Sequence, residues 1–281
     1  MPLALGYSPC PNDCFIFFAL AHEKIDPKLS WKIHLADVEA LNRWARTSTL
    51  DVTKISYHAF AFYTRDYVML PCGGALGRGV GPLIVTREPL ENLSGKRVAI
   101  PGGLTTANLL LRLSQPADIE TVELRYDAIM PSVARGEVDA GLIIHESRFT
   151  YPSFGLYKHL DLGTWWEHET GHPLPLGGIM AKKSLGERTL TDINRAIRHS
   201  LDYAYQHSSE VFPYLKEHAQ EMASDVIQQH VDLYVNSYTR DLGEIGRASV
   251  WELLTRGVRR GLVPEPREEL FFSPPGEGLG A

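Results

Sequence analysis

Short segments in which apolar and polar positions alternate are interleaved along the chain with longer segments whose apolar residues recur at helical spacing. LALGY (3–7) reads as a strand, SPCPND as the loop after it, and FIFFALAHEKI as a helix. WKIHLAD then predicts a strand, VEALNRWART a helix, DVTKIS a strand and YHAFAFYTRD a further helix, so the first ~70 residues alternate β with α. That order predicts a largely parallel sheet flanked by helices.

Glycine-rich CGGALGRGVG breaks the rhythm, which starts again at ENLSGKRVAIPGGLTTANLLLRL as strand KRVAI, loop PGGL and helix TTANLLLRL. IETVELRY (strand), DAIMPSVARGE (helix) and VDAGLII (strand) follow, then a loop-rich aromatic stretch and GGIMAK as a return strand. From Thr189 onward the pattern is helical: LTDINRAIRHSLDYAYQHS, with Thr191 as its cap and Ile193, Ile197, Leu201 and Ala204 on one face, then SDVIQQHVDLYVNSYT and EIGRASVWELLTRGVRR. Helices crowded after the second sheet predict that the chain crosses back onto the first domain. The expected division is residues 1–88 with 184–281 and residues 89–183, with crossings near 86–93 and 178–184; the tail SPPGEGLGA is expected to be loose. The fold class is therefore α/β, two domains around a cleft.

Composition removes several alternatives. The 281 residues are 44% hydrophobic and 22% charged with a formal charge of −6, an ordinary globular balance without a basic run for nucleic acid. The opening MPLALGYSPCPND is unlike a secretory signal and no stretch approaches a membrane span, so a cytoplasmic protein is expected. Cys10, Cys14 and Cys72 are too few for a disulfide framework, and no nearby ligand completes zinc spacing around Cys10 and Cys14, so no metal site is expected.

In open α/β sheets ligands sit beyond the carboxyl ends of the strands. Four loops occupy such positions: Ser8 to Asp13, Lys54 to Ser56, Gly102 to Thr106, and His145 with Glu146 after VDAGLII. Thr105 and Thr106 open a helix behind two glycines, which makes either a carboxylate or phosphate seat or a plain pair of caps. Ser56 starts a helix in the same way, and Lys54 beside Ile55 is either a ligand charge or a solvated edge residue. Asn12 and Asp13 are expected to cap the first helix, with Asn12 also a ligand candidate. Of eleven histidines, His145 alone follows an unbroken apolar strand at the predicted cleft, so it is the candidate general base, with Glu146 as its orienter or a solvent-facing neighbour. His34, His58 and His230 fit helix or strand surfaces better. GRGVG at 77–81 lacks the strand–loop–helix setting of a dinucleotide site and is read as a turn; GxSxG and P-loop spacings are missing from the chain.

SPCPNDCFIFFAL, KISYHAF, PGGLTTANLLLRL, GLIIHESRFTY and NSYTRDLG, taken in order, resemble the 1,4-dihydroxy-6-naphthoate synthase family of the futalosine route to menaquinone, nearly end to end. The resemblance implies a fold like that of type II periplasmic binding proteins. It implies a carbon–carbon lyase that cleaves cyclic dehypoxanthine futalosine, a carboxylated small molecule, to 1,4-dihydroxy-6-naphthoate and dihydroxyacetone without metal or redox cofactor. His145 matches the family's proton acceptor; Lys54, Ile55 and Ser56, with Thr105 and Thr106, match its substrate contacts. Cys14, where the family often has threonine, is a departure beside the site. Two rivals share the fold: chorismate dehydratase of the same pathway, which SPCPND and His145 weigh against, and a non-catalytic anion-binding protein, which normally carries an export signal.

Overall fold

The computed structural model describes residues 1–25, 28–115, 118–219, 223–267 and 269–275; the last six residues of the expected loose tail lie outside them. Among the described residues, eleven strands form two sheets. The first contains β1 (Leu3–Tyr7), β2 (Trp31–Leu35), β3 (Val52–Ser56), β4 (Tyr67–Met69), β5 (Ala75–Gly77) and β11 (Leu174–Lys182). Its order is β2-β1-β3-β11-β4, with β5 on the other stretch of β11. The second contains β6 (Leu83–Thr86), β7 (Arg97–Ile100), β8 (Glu120–Glu123), β9 (Ala140–Ile143) and β10 (Tyr157–Asp161), in the order β10-β6-β9-β7-β8.

In each sheet three strands are parallel, β2-β1-β3 and β8-β7-β9, as the βα rhythm predicts. The strands that pass between the lobes run against them: β11 is antiparallel to β3, and β6 to β9. Both crossings therefore come earlier than expected. β6 already belongs to the second sheet, so the chain leaves the first lobe between Gly77 and Leu83. GGIMAK lies in β11 of the first sheet, so the return precedes Leu174. The crossings touch at Gly163, where a Cβ would stand 1.9 Å from the Val80 carbonyl oxygen, a gap that only glycine fits.

Helix Pro11–Ala21 carries Pro at its first position and is apolar all round, because the sheet covers one side and the helices Gly186–Gln206, Ser208–His218 and Ser224–Tyr234 cover the rest. It starts four residues before the expected FIFFALAHEKI. Ser208–His218, with Pro213 inside, was not anticipated. YHAFAFYTRD is helical only over Tyr57–Phe60, and Thr191 lies inside Gly186–Gln206, bonding back to the Glu187 carbonyl, so it is not the cap.

One apolar cluster runs through both lobes, joining Ile55, Tyr57 and Phe60 to Ile84, Val98 and Leu109; separate clusters fill the far sides. The lobes thus share a core floor, and the carboxyl ends of β1, β3, β7 and β9 open above it.

Candidate active site

A cavity of about 100 Å³ lies between the lobes at those strand ends. Asn12, Lys54, Ile55, Ser56, Thr105, Thr106 and His145 all line it, whereas Glu146 does not and is buried rather than solvent-facing.

From the first lobe, β3 is buried along its whole length, and its end delivers Lys54, Ile55 and Ser56 to the cavity. Lys54 is no edge residue: at 5% exposure, its ammonium bonds Asp13 Oδ1 at 2.5 Å and the Gly73 carbonyl at 3.3 Å. Asp13 does not cap its helix. It turns back to accept from Ser8 N (3.3 Å) and Ser8 Oγ (2.7 Å), and from Asn12 Nδ2 (2.9 Å). The helix N-cap is Cys10, with no side-chain bond, so the expected capping by Asn12 and Asp13 is replaced by a buried polar cluster. Ser56 likewise caps nothing; buried Asn42 donates to its oxygen (3.1 Å) and accepts from its N–H (3.0 Å), which leaves the Ser56 O–H to donate elsewhere.

From the second lobe, Thr105 is a true cap: its hydroxyl accepts from Asn108 N and donates to the Gly102 carbonyl. The Thr106 hydroxyl donates across to the Leu176 carbonyl at 2.6 Å and accepts from His58 N at 3.3 Å. Both hydroxyls are thus used inside the protein. The helix Thr106–Ser114 still offers the first-turn N–H groups of Thr106 and Ala107, which have no intrahelical acceptor, toward the cavity.

His145 follows β9 with φ at +57°, a left-handed conformation that costs a non-glycine residue about 1–2 kcal/mol and recurs where a side chain must be aimed at a site. Its half-buried ring faces the first lobe. Cys10 Sγ lies 3.3 Å from Nδ1 and 3.5 Å from Nε2, and Tyr126 approaches edge-on at 5.2 Å between centroids. Burial pulls the imidazole below its ordinary range against the opposing charges of Glu146 and Asp13, so the ring is neutral near pH 7. Burial, with Glu146 and Asp13 adding to it, pushes the Cys10 thiol well up. The pair is therefore S–H beside neutral imidazole, not thiolate and imidazolium.

The model of the menaquinone biosynthesis family matches residues 3–259. The chain belongs to this family. Relatives named 1,4-dihydroxy-6-naphthoate synthase occur in Thermus thermophilus, 52% identical over 94% of this chain and 97% of the relative, and in Streptomyces coelicolor, 48% identical over 93% and 95%. A crystal structure of a protein from Archaeoglobus fulgidus, 35% identical, superposes with a TM-score of 0.90 over 93% of this chain and 98% of that one. The alkanesulfonate-binding protein of Xanthomonas axonopodis bound to MOPS, 15% identical, matches with a TM-score of 0.72 over 96% of each chain. That more distant likeness carries the fold alone, which is that of the periplasmic binding proteins.

Within this member of the menaquinone biosynthesis family, sequence reading missed two histidines. His58 is not a surface residue: buried and neutral, its Nδ1 bonds the Thr105 carbonyl at 3.0 Å and so ties the lobes together. His230 is 1% exposed, lines the cavity and bonds Asn12 Oδ1 at 2.9 Å. A signal existed, since 227, 230, 231 and 234 share one face of the helix Ser224–Tyr234 with buried Ile227, Val231 and Tyr234. Among the described residues, no group of three or more His, Cys, Asp or Glu is placed to hold a metal ion, and no helix is long and apolar enough to cross a membrane.

Proposed function

We propose that this protein is a cytoplasmic lyase that cleaves cyclic dehypoxanthine futalosine to 1,4-dihydroxy-6-naphthoate and dihydroxyacetone, with His145 as general base. The observation that carries the reading is a neutral imidazole, held in a left-handed turn at a strand end, lining the cavity between the lobes in a chain of the menaquinone biosynthesis family.

His145 takes a proton from the substrate, the carbon–carbon bond breaks in the retro-aldol sense to release the three-carbon fragment, and the remaining ring gains aromaticity, which drives the step. The Ser56 O–H, the remaining N–H of Lys54 and the first-turn amides of Thr106 and Ala107 supply donors for the carboxylate and ring oxygens, and Ile55 forms an apolar wall. Asn12 acts differently from a direct contact: both ends of its amide are taken, by Asp13 and His230, so it positions the site. The Thr105 and Thr106 hydroxyls hold the helix start in place. Contacts between the lobes, including the Leu104 amide on Glu39 at 3.1 Å and the Arg43–Glu123 pair, help keep water from the reacting centre.

Purified protein mixed with the cyclic futalosine derivative should produce naphthoate absorbance, and chorismate should give no reaction. His145→Ala should lower kcat by ~10²–10⁴-fold with the fold intact by circular dichroism. Turnover of that variant at the parent rate would remove His145 from the role.

A further inference from the structure

A buried hydrogen-bond network that converges on Asp13 from Lys54 and Asn12 reaches His230, one of whose ring nitrogens has nothing to bind. Lys54 Nζ and Asn12 Nδ2 both donate to Asp13 Oδ1, at 2.5 and 2.9 Å. A carboxylate only accepts, so the Asn12 amide nitrogen must face Asp13 and its Oδ1 must face His230. The 2.9 Å contact from that oxygen to His230 Nε2 then requires the proton on Nε2. Burial, together with the nearby His145 and Lys54, holds the ring well below its ordinary range and therefore neutral. A neutral imidazole has one N–H, which leaves Nδ1 as a bare lone pair. That nitrogen is buried and has no hydrogen-bond partner among the described residues.

The ring packs on Tyr234 at 4.6 Å between centroids and lines the cavity. Its plane is 27° from that of His145, with centroids 6.3 Å apart. At that separation the two imidazoles do not bond each other directly. A lone pair repels a carboxylate and attracts an O–H. The cavity therefore has polarity: a hydroxyl-accepting end at His145 and His230, and an anion-accepting end at the first-turn amides of Thr106 and Ala107.

We propose that His230 is a second substrate-binding histidine, whose Nδ1 accepts a hydrogen bond from a hydroxyl of the polyhydroxylated part of the substrate and holds that hydroxyl beside His145. The identity of the substrate rests on the function proposed above; the acceptor role does not. Lys54, Asp13 and Asn12 act through His230 as a relay that fixes its tautomer.

Two substitutions separate binding from support. In His230→Gln the amide nitrogen reaches the Nε2 position and keeps the bond to Asn12 but deletes the acceptor at Nδ1. In His230→Asn the carbonyl stands near Nδ1 and the bond to Asn12 is lost. Gln should lower kcat/KM about tenfold, the worth of one hydrogen bond, with the melting temperature unchanged. Asn should melt earlier yet keep the higher kcat/KM of the two. Parent kcat/KM in His230→Gln overturns the inference. If the parent protein itself does not turn over the futalosine derivative, the proposed function fails, and nitrogen NMR of histidine-labelled protein decides the present point alone. The His230 Nδ1 resonance should sit in the unprotonated range and move toward the hydrogen-bonded range with D-ribose or with the futalosine derivative. A resonance that moves with neither overturns the proposal.

Discussion

The Lys54–Asp13 pair offers the sharpest test of how the cavity is built. Asp13 is 1% exposed and accepts four hydrogen bonds, from Ser8 N, Ser8 Oγ, Asn12 Nδ2 and Lys54 Nζ. Every neighbour is a donor, so Asp13→Asn sets an NH₂ against a donor and leaves the Lys54 ammonium buried without counter-charge. Removing one member of such a pair costs ~3–5 kcal/mol. Lys54→Met leaves the carboxylate with neutral donors alone and costs a similar ~3–5 kcal/mol. In the double variant no charge remains buried, so its loss should fall short of the sum by ~2–3 kcal/mol, the upper range of coupling between groups in contact. Urea unfolding of the four proteins at pH 7, followed by tryptophan fluorescence, gives the cycle directly. At roughly 2–4 °C per kcal/mol, each single variant should also melt ~6–20 °C earlier. Losses that add within ~0.5 kcal/mol, or an Asp13→Asn loss below ~1 kcal/mol, would refute the picture of a coupled buried pair.

Acid sensitivity follows from His58, His145 and His230, whose imidazoles are all pulled below the ordinary value, with burial the largest cause in each. The unfolded chain then binds protons that the folded one refuses, so stability is full above about pH 6.5 and is lost as pH falls toward the lowered values. Urea midpoints should be flat from pH 8 to 7 and decline from pH 6.5 to 5; a midpoint unchanged at pH 5 would contradict buried neutral rings. Thr106→Val deletes the donor to the Leu176 carbonyl and the acceptor of His58 N, which join the lobes. It should cost ~1–3 kcal/mol and raise KM; an unaltered melting temperature would show that this hydroxyl does not link them.

The βα alternation was legible because each strand and helix carries its own period, and the strand-end rule needed nothing more to direct attention to Lys54, Ser56, Thr105 and His145. The crossings were misplaced for a physical reason. β6 and β11 are buried apolar strands with no polar alternation, so LIVT goes unread behind the glycine-rich stretch and GGIMAK shows a strand but not which sheet takes it. The reversals at Lys54 and Asp13 share one cause. A lone strand lysine predicts solvent and a helix-start aspartate predicts a cap, but each becomes buried because the other is there, 41 positions away. His230 shows the same limit more strongly, since the partner that fixes its tautomer, Asn12, is 218 positions distant.

The same long-range contact shows which part of the chain shapes each end of the cavity. The parallel strands of the two lobes supply loops whose amides suit an anion, a property common to any helix start at a cleft. What distinguishes this cavity is contributed by the helical return of the chain, which brings a neutral imidazole acceptor from Ser224–Tyr234 against Asn12 and opposite His145. The second crossing thus serves more than closure. On the proposed function, this return supplies the histidine of the proposed hydroxyl-binding end, opposite His145.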